Sequence, residues 1–203
     1  MPAPAGRVLA VDAEDALRAQ LYRLLSRLLA APPDRALLAL VAGMSGDDTA
    51  LGRGLAALAA RAAETTPAAA AAEYGDLFIG VGRGELVPFA SYYLTGFLNE
   101  KPLARLRGEM ALLGIARAEH VKEPEDHIAA LCEMMAGLIE GAFGDPASLA
   151  LQRRFFDNHL GRWAPRFFED LERAQAAVLY APLGTVGSAF MAIETAAFEM
   201  IDE

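Results

Sequence analysis

The residues best equipped for chemistry lie in one short run, Glu123-Pro124-Glu125-Asp126-His127. Three carboxylates and an imidazole within five positions can hold a cation, move a proton or pair with arginine. Metal binding fails on spacing. A di-iron bundle needs Glu-x-x-His on two helices, and His120, His127 and His159 have Arg117, Pro124 and Phe156 three residues before them. No HExxH occurs either. Catalysis by an Asp126–His127 pair needs a nucleophile, and the sequence marks none. Cys132, the single cysteine, sits in an apolar helical pattern where a small buried hydrophobe is expected, and alone it can form neither a disulfide nor a cysteine metal cluster. What survives is charge recognition. Arginine pairs with carboxylates in forked, charge-assisted hydrogen bonds.

Helices must position this run. The spacing predicts Pro124 at the first helical position, where its fixed φ fits and its missing N–H costs nothing. Glu125 and Asp126 then complement the helix dipole, and Glu123 and His127, four apart, share a face. Held by those carboxylates, His127 is expected to be protonated with a raised pKa. Ile128, Leu131, Met134, Met135 and Leu138 continue as an apolar stripe.

The rest of the 203-residue chain reads as helix. It is 54% hydrophobic and rich in alanine and leucine, which lose little side-chain freedom in helices. Asp12 caps a first helix with a stripe from Leu17 through Leu21, Leu24, Leu25, Leu28 and Leu29; Pro32-Pro33 stops it. A second helix starts at Asp34, a third near Leu51, and Pro67 opens a fourth carrying Tyr74, Leu77 and Phe78. Gly80-Val81-Gly82-Arg83-Gly84 begins the longest irregular stretch; with no strand before it and no GK[ST] after it, it is a turning connection rather than a nucleotide loop. Helices follow from Ser91, from Pro102 to Leu113 with Gly114 closing it, from Pro124 to Ala142, from Pro146 to His159, from Arg162 to Leu179 and from Leu183 to Ile201. With no period-2 strand and no long repeat, the expected architecture is all-α, one compact bundle of about eight to ten helices, with residues 1–11 as a tail and 12–203 as a single domain.

The net charge of −9 disfavours nucleic acid and favours a basic peptide. No stretch nears the roughly 20 apolar residues of a membrane span, and the N-terminus lacks a signal-peptide pattern. Cytoplasmic residence without stable membrane insertion is therefore expected.

Four segments in order carry a family resemblance. Glu123 to Leu138 (EPEDHIAALCEMMAGL) resembles the E-P-x-D-H signature of the TorD/DmsD/NarJ redox-enzyme maturation chaperones. Glu73 to Phe78 is similar to that family's aromatic-x-x-Leu-Phe helix end, Pro88 to Tyr93 to its P-Y-E-S-x-Y segment, and Arg154 to Trp163 to its F-x-x-x-H-L-x-x-W stretch. The resemblance implies an all-α, TorD-like chaperone, not an enzyme. It implies binding of a molybdopterin oxidoreductase precursor through its twin-arginine leader, its apo form or both. Such binding would aid cofactor insertion and hold back export. Carried over, the peptide site comprises Glu123, Pro124, Asp126, His127, Tyr74, Leu77, Phe78, Pro88, Ser91 and Tyr92. Tyr92 is the expected exposed aromatic, with Tyr93 facing elsewhere. Ala90 stands where the family carries glutamate, which removes one carboxylate. No cofactor or metal is implied beyond weak GTP binding by resemblance. A guanine-nucleotide-responsive factor and a structural assembly subunit are the alternatives. A monomer or homodimer is compatible with the pattern, and the loops 43–54 and 79–87 are long enough for domain swapping.

Overall fold

The computed structural model describes residues 12–80, 82–118 and 121–202. The expected tail, residues 1–11, and His120 lie outside the described residues.

Local capping explains the first half. α1 (Ala13–Ala30) starts where the Asp12 carboxylate accepts from Asp15 N–H at 2.8 Å. α2 (Arg35–Ala42) and α3 (Ala50–Glu64) start behind Asp34 and Thr49 in the same way. α4 (Pro67–Tyr74) opens on its proline and runs into a π-helical turn, Gly75–Ile79. α5 (Ala90–Thr95) and α6 (Lys101–Leu112) follow, and Gly114 leaves α6 at φ 69°. α7 (Ile128–Glu140), α8 (Leu149–His159), α9 (Ala164–Arg173) and α10 (Tyr180–Glu199) complete the chain, with a 3-10 turn at Met200–Asp202. Ten α-helices and no strand occur among the described residues. One isolated antiparallel bridge, Phe89 to His127, is the exception.

α7 is the central helix. It is apolar on nearly every side and buried from Ile128 to Ile139 except at Ala130 and Glu133, as a helix without a polar face must be. α1 packs along it, and α10 packs on α9 and α3. Aromatic side chains fill the centre, among them Tyr22, Phe155, Phe156, Trp163, Phe167, Phe168 and Phe190. α10 meets α9 backbone to backbone at Gly184, where a Cβ would fall 2.5 Å from Glu172 N. No described helix is long and apolar enough to cross a membrane.

Four expectations need correction. Pro124 is not a first helical residue: α7 begins four positions later. The helix expected from Pro146 starts at Leu149, capped by Ser148 Oγ. The helix expected from Arg162 to Leu179 ends at Arg173. Leu17, placed on the apolar stripe of α1, faces solvent.

Candidate functional site

Residues 124–127 form a turn, His127 N–H donating to Pro124 O at 3.2 Å. The reason is long-range. Ala90 N–H donates to Asp126 O at 3.0 Å and Ile128 N–H to Pro88 O at 2.9 Å. Residues 126–128 thus spend their backbone groups on 88–90 rather than on a helical turn. α5 has no side-chain cap of its own. Asp126 supplies one from 35 residues away, Oδ2 accepting Ser91 N–H at 2.8 Å. Two of the donors left orphaned at a helix start are satisfied by one residue, itself 1% exposed. Asp126 Oδ1 and Ser91 Oγ are buried without a hydrogen-bond partner.

His127 is the N-cap of α7, Nδ1 accepting from Ala129 N–H at 3.1 Å. Its ring stands edge-on to Phe89, centroids 4.9 Å apart. The expectation of a protonated, raised-pKa histidine is overturned: burial pushes its pKa down to about 4. The Asp126 carboxylate faces Ser91, Glu123 is exposed, and Nδ1 needs its lone pair for the cap. Because the folded pKa lies below the unfolded value, the unfolded chain takes up the proton first. Stability is therefore full above about pH 6.5 and falls until about pH 4. Between pH 7 and 5 the loss from His127 should be about 2 kcal/mol. Burial lowers His159 too, so the measurement is the difference in urea midpoint shift between the wild type and His127→Asn, which keeps a capping oxygen. Equal shifts in both would remove His127 as the cause.

Glu125, offered as a free carboxylate, is also engaged. Arg107 Nε and Nη2 donate to Oε2 at 3.0 and 2.8 Å, and Arg117 lies 3.7 Å from Oε1. Burial would raise its pKa, but these partners outweigh it and hold the carboxyl below its ordinary value. Glu123 is exposed and has no ion pair among the described residues. It lies near Tyr74, whose phenol is raised first by burial and then by that charge.

The other expected residues divide by exposure. Tyr74 is buried and its hydroxyl donates to Leu29 O at 3.2 Å. Leu77 is fully buried, and its carbonyl accepts from Leu86 N–H at 2.8 Å, folding the glycine-rich loop back onto the π turn. Pro88 and Ser91 are buried in the junction just described. Phe78 is half-buried, edge-on to Tyr74 and Tyr180. Tyr92 is half-buried, while Tyr93 turns inward against Trp163 and Phe167. Glu123, Pro124, Phe78 and Tyr92 therefore keep accessible surface. Pro88, Ser91, Asp126 and His127 are buried where residues 88–91 meet residues 126–128.

Several contributors carry no mark in the sequence. Ile79, 64% exposed, and Asp76, exposed, stand on the π turn beside Phe78. Arg83 places its guanidinium over the Tyr92 ring, 4.8 Å from the centroid, and donates to its hydroxyl. Gly80, at φ 59°, makes this turn, since a Cβ there would meet Arg83 O at 2.0 Å. Glu73 and Glu85 reach across the fold to backbone donors. Glu73 accepts from Val178, Leu179 and Tyr180 N–H at 2.7–3.0 Å, and Glu85 from Gln175 and Ala176 N–H at 2.6 and 3.1 Å.

The chain matches the family model described as nitrate reductase delta subunit over residues 45–169, more than half its length. It is 34% identical over 128 residues to the chaperone protein TorD of Vibrio cholerae, covering 60% of this chain and 58% of that protein. It is 33% identical over 108 residues to the chaperone protein TorD of Aliivibrio fischeri, covering 48% and 49%. The alignments thus span half to three-fifths of these relatives. A crystal structure from Archaeoglobus fulgidus, described as a candidate redox enzyme maturation protein, superposes with a TM-score of 0.59 at 24% identity, covering 87% of this chain and 94% of that one. That likeness shows a shared all-helical fold.

Proposed function

The chain belongs to the nitrate reductase delta subunit family, and from that premise we propose that it is a maturation chaperone for a redox enzyme. In this reading it binds the precursor of a molybdopterin oxidoreductase in the cytoplasm, through a twin-arginine leader or the apo form, until the cofactor is in place. It performs no catalysis. One observation carries the site: residues 88–91 and 126–128 are locked together by reciprocal backbone bonds and the Asp126 cap. In this reading Glu123, Phe78, Ile79 and Tyr92, which keep accessible surface, form the binding edge. Glu123 offers a carboxylate to the leader's guanidiniums. Phe78, Ile79 and Tyr92 take its apolar part in a groove-like mode. Arg83 already covers the face of Tyr92 that an incoming arginine would stack on.

Calorimetry with a synthetic twin-arginine leader tests this. Glu123→Gln and Tyr92→Ala should each weaken binding about three- to tenfold, one exposed charge pair or cation–π contact apiece. Arg83→Ala should tighten it, because the ring face is freed. Circular dichroism should stay helical throughout. Unchanged affinity in all three variants would move the peptide site elsewhere.

The family description favours a second reading, an assembly subunit held in a lasting complex. Light scattering of the purified chain separates the two: a stoichiometric co-purifying oxidoreductase subunit would support the complex.

A further inference from the structure

The turn from α5 to α6 presents two large apolar side chains to solvent. Phe97 is 70% exposed and Leu98 45%. The turn is held in a defined shape. Gly96 and Asn99 take left-handed φ values of 84° and 60°. Thr95 Oγ1 accepts from Phe97 N–H at 3.2 Å and donates to Ser91 O at 2.7 Å. α6 continues the same surface. At 3.6 residues per turn, Lys101, Arg105, Gly108 and Leu112 fall on one stripe, opposite the buried Leu103, Leu106 and Met110. All four are exposed, Leu112 by 86%, and none is acidic.

Charge is as uneven as apolar surface. Lys101 and Arg105 line one cleft together with Arg162, from the turn between α8 and α9. All three are exposed, with no hydrogen bond or ion pair among the described residues. Residues 97–117 and 153–166, with their ion-pair partners Glu125 and Asp170, hold eight of the 18 basic residues but five of the 27 acidic ones. Four of those acids are paired with arginine. Glu100, the fifth, stands at the N-terminus of α6, where the helix dipole offsets it. The region is therefore positive in a chain whose net charge is −9. A lone surface lysine or leucine is ordinary and needs no partner. Cations and large apolar groups interleaved along one exposed helix are the pattern of an interfacial helix.

We propose that the α5–α6 turn and the outer stripe of α6 dock on the surface of an anionic lipid bilayer. Phe97, Leu98 and Leu112 enter the headgroup layer, and Lys101, Arg105 and Arg162 meet the lipid phosphates. The order of the residues favours a bilayer over an acidic protein. A protein interface has an apolar centre and a charged rim. Here the apolar groups stand at the two ends of α6 and the cations lie between them, which a fluid surface accommodates. The acidic remainder of the chain is repelled by the same surface, so the contact has one orientation. Three cations and three apolar side chains make a reversible contact, and no described helix is long and apolar enough to cross the bilayer. This surface stands independently of the peptide-binding reading.

Co-sedimentation of the full chain with vesicles tests this. Vesicles of phosphatidylglycerol and phosphatidylcholine in equal parts should bind the chain, and added salt should weaken the binding. Vesicles of phosphatidylcholine alone should bind far less. The Lys101→Gln/Arg105→Gln variant should lose about tenfold or more in affinity. The Phe97→Ser/Leu98→Ser variant should also lose about tenfold, and its residual binding should keep the salt dependence. All four positions are exposed, so melting temperature and leader-peptide affinity should match the wild type. Inorganic phosphate should release no more chain than chloride at the same ionic strength. Five results would overturn the proposal. They are no preference for the anionic vesicles, binding unmoved by the charge variant, binding unmoved by the apolar variant, selective release by phosphate, and polyglutamate holding the chain as tightly as the vesicles. The last would assign the surface to an acidic protein. Leader affinity is read in a separate titration, so the two surfaces can fail separately.

Discussion

Replacing Asp126 with alanine should destabilise the chain by about 2–3 kcal/mol, summing a lost helix cap and a stranded buried donor. Ser91 N–H has its partner in Asp126 Oδ2, and α5 brings no cap of its own. The alanine variant leaves that donor buried and also loosens the backbone ladder from Pro88 to Ile128. For a chain of this size the melting temperature should fall by about 5–10 °C. Asp126→Asn keeps an acceptor oxygen in place and should recover most of the loss. Leader affinity then separates two roles for Asp126. If the asparagine variant melts and binds like the wild type, Asp126 positions α5 and touches no client charge. If it melts like the wild type but binds weakly, the carboxylate itself meets the leader. A melting temperature within about 1 °C of wild type for the alanine variant would show that this cap does not hold α5.

The same contacts explain what the sequence could and could not disclose. Helix starts with a local signal were legible: Asp12, Asp34 and Pro67 act within their own first turn, and Gly114 supplies the left-handed φ that closes α6. The start of α7 was not, because its competitor is the stretch 88–90. The end of α9 was missed for a related reason. No glycine or proline lies between Arg173 and Tyr180. The helix yields there because Glu85 and Glu73 offer carboxylates to five N–H groups of residues 175–180. For the site, residue types were informative and roles were not. The resemblance groups Ser91, Asp126 and His127 in one peptide site, and the structure shows Ser91 N–H donating to Asp126. All three are buried, and burial is not written in a motif of five letters. Glu125 looked as free as Glu123 until Arg107, eighteen residues away, took it. The misjudged direction of the His127 shift has the same origin: the nearest charges in sequence are not those nearest its ring.

Glu194 carries the second large effect, and nothing in Phe190 to Met200 distinguishes it from an exposed helical glutamate. It is 0% exposed. Arg18 grips it through Nε at 2.7 Å and Nη2 at 2.9 Å, and the Tyr22 hydroxyl donates to it at 2.9 Å. Arg18 also donates to Gln152 at 3.0 Å, so α1, α8 and α10 meet in one network. Burial and then the Glu194 charge raise the Tyr22 phenol well above its ordinary pKa. Glu194→Ala leaves the guanidinium only Asp15 and Gln152, takes away its fully buried counter-charge and strands the Tyr22 hydroxyl, and should cost about 3 kcal/mol or more. The melting temperature should drop by about 10 °C or more. The double variant Arg18→Met/Glu194→Leu removes both charges and should recover most of this, because desolvation largely offsets the attraction in a buried pair. That non-additivity is the signature of the pair. A single Glu194→Ala variant melting within about 2 °C of the wild type would contradict it. Affinity for the leader should stay unchanged when measured at low temperature, where the variant is folded. The site end of α10 is pinned separately, by Glu73 on Tyr180 N–H and by the Tyr180 hydroxyl on Leu28 O at 3.0 Å. Loss of stability without loss of affinity would thus separate the frame of the bundle from its binding edge, and a parallel loss of both would show that the tilt of α10 reaches the Phe78–Tyr180 contact.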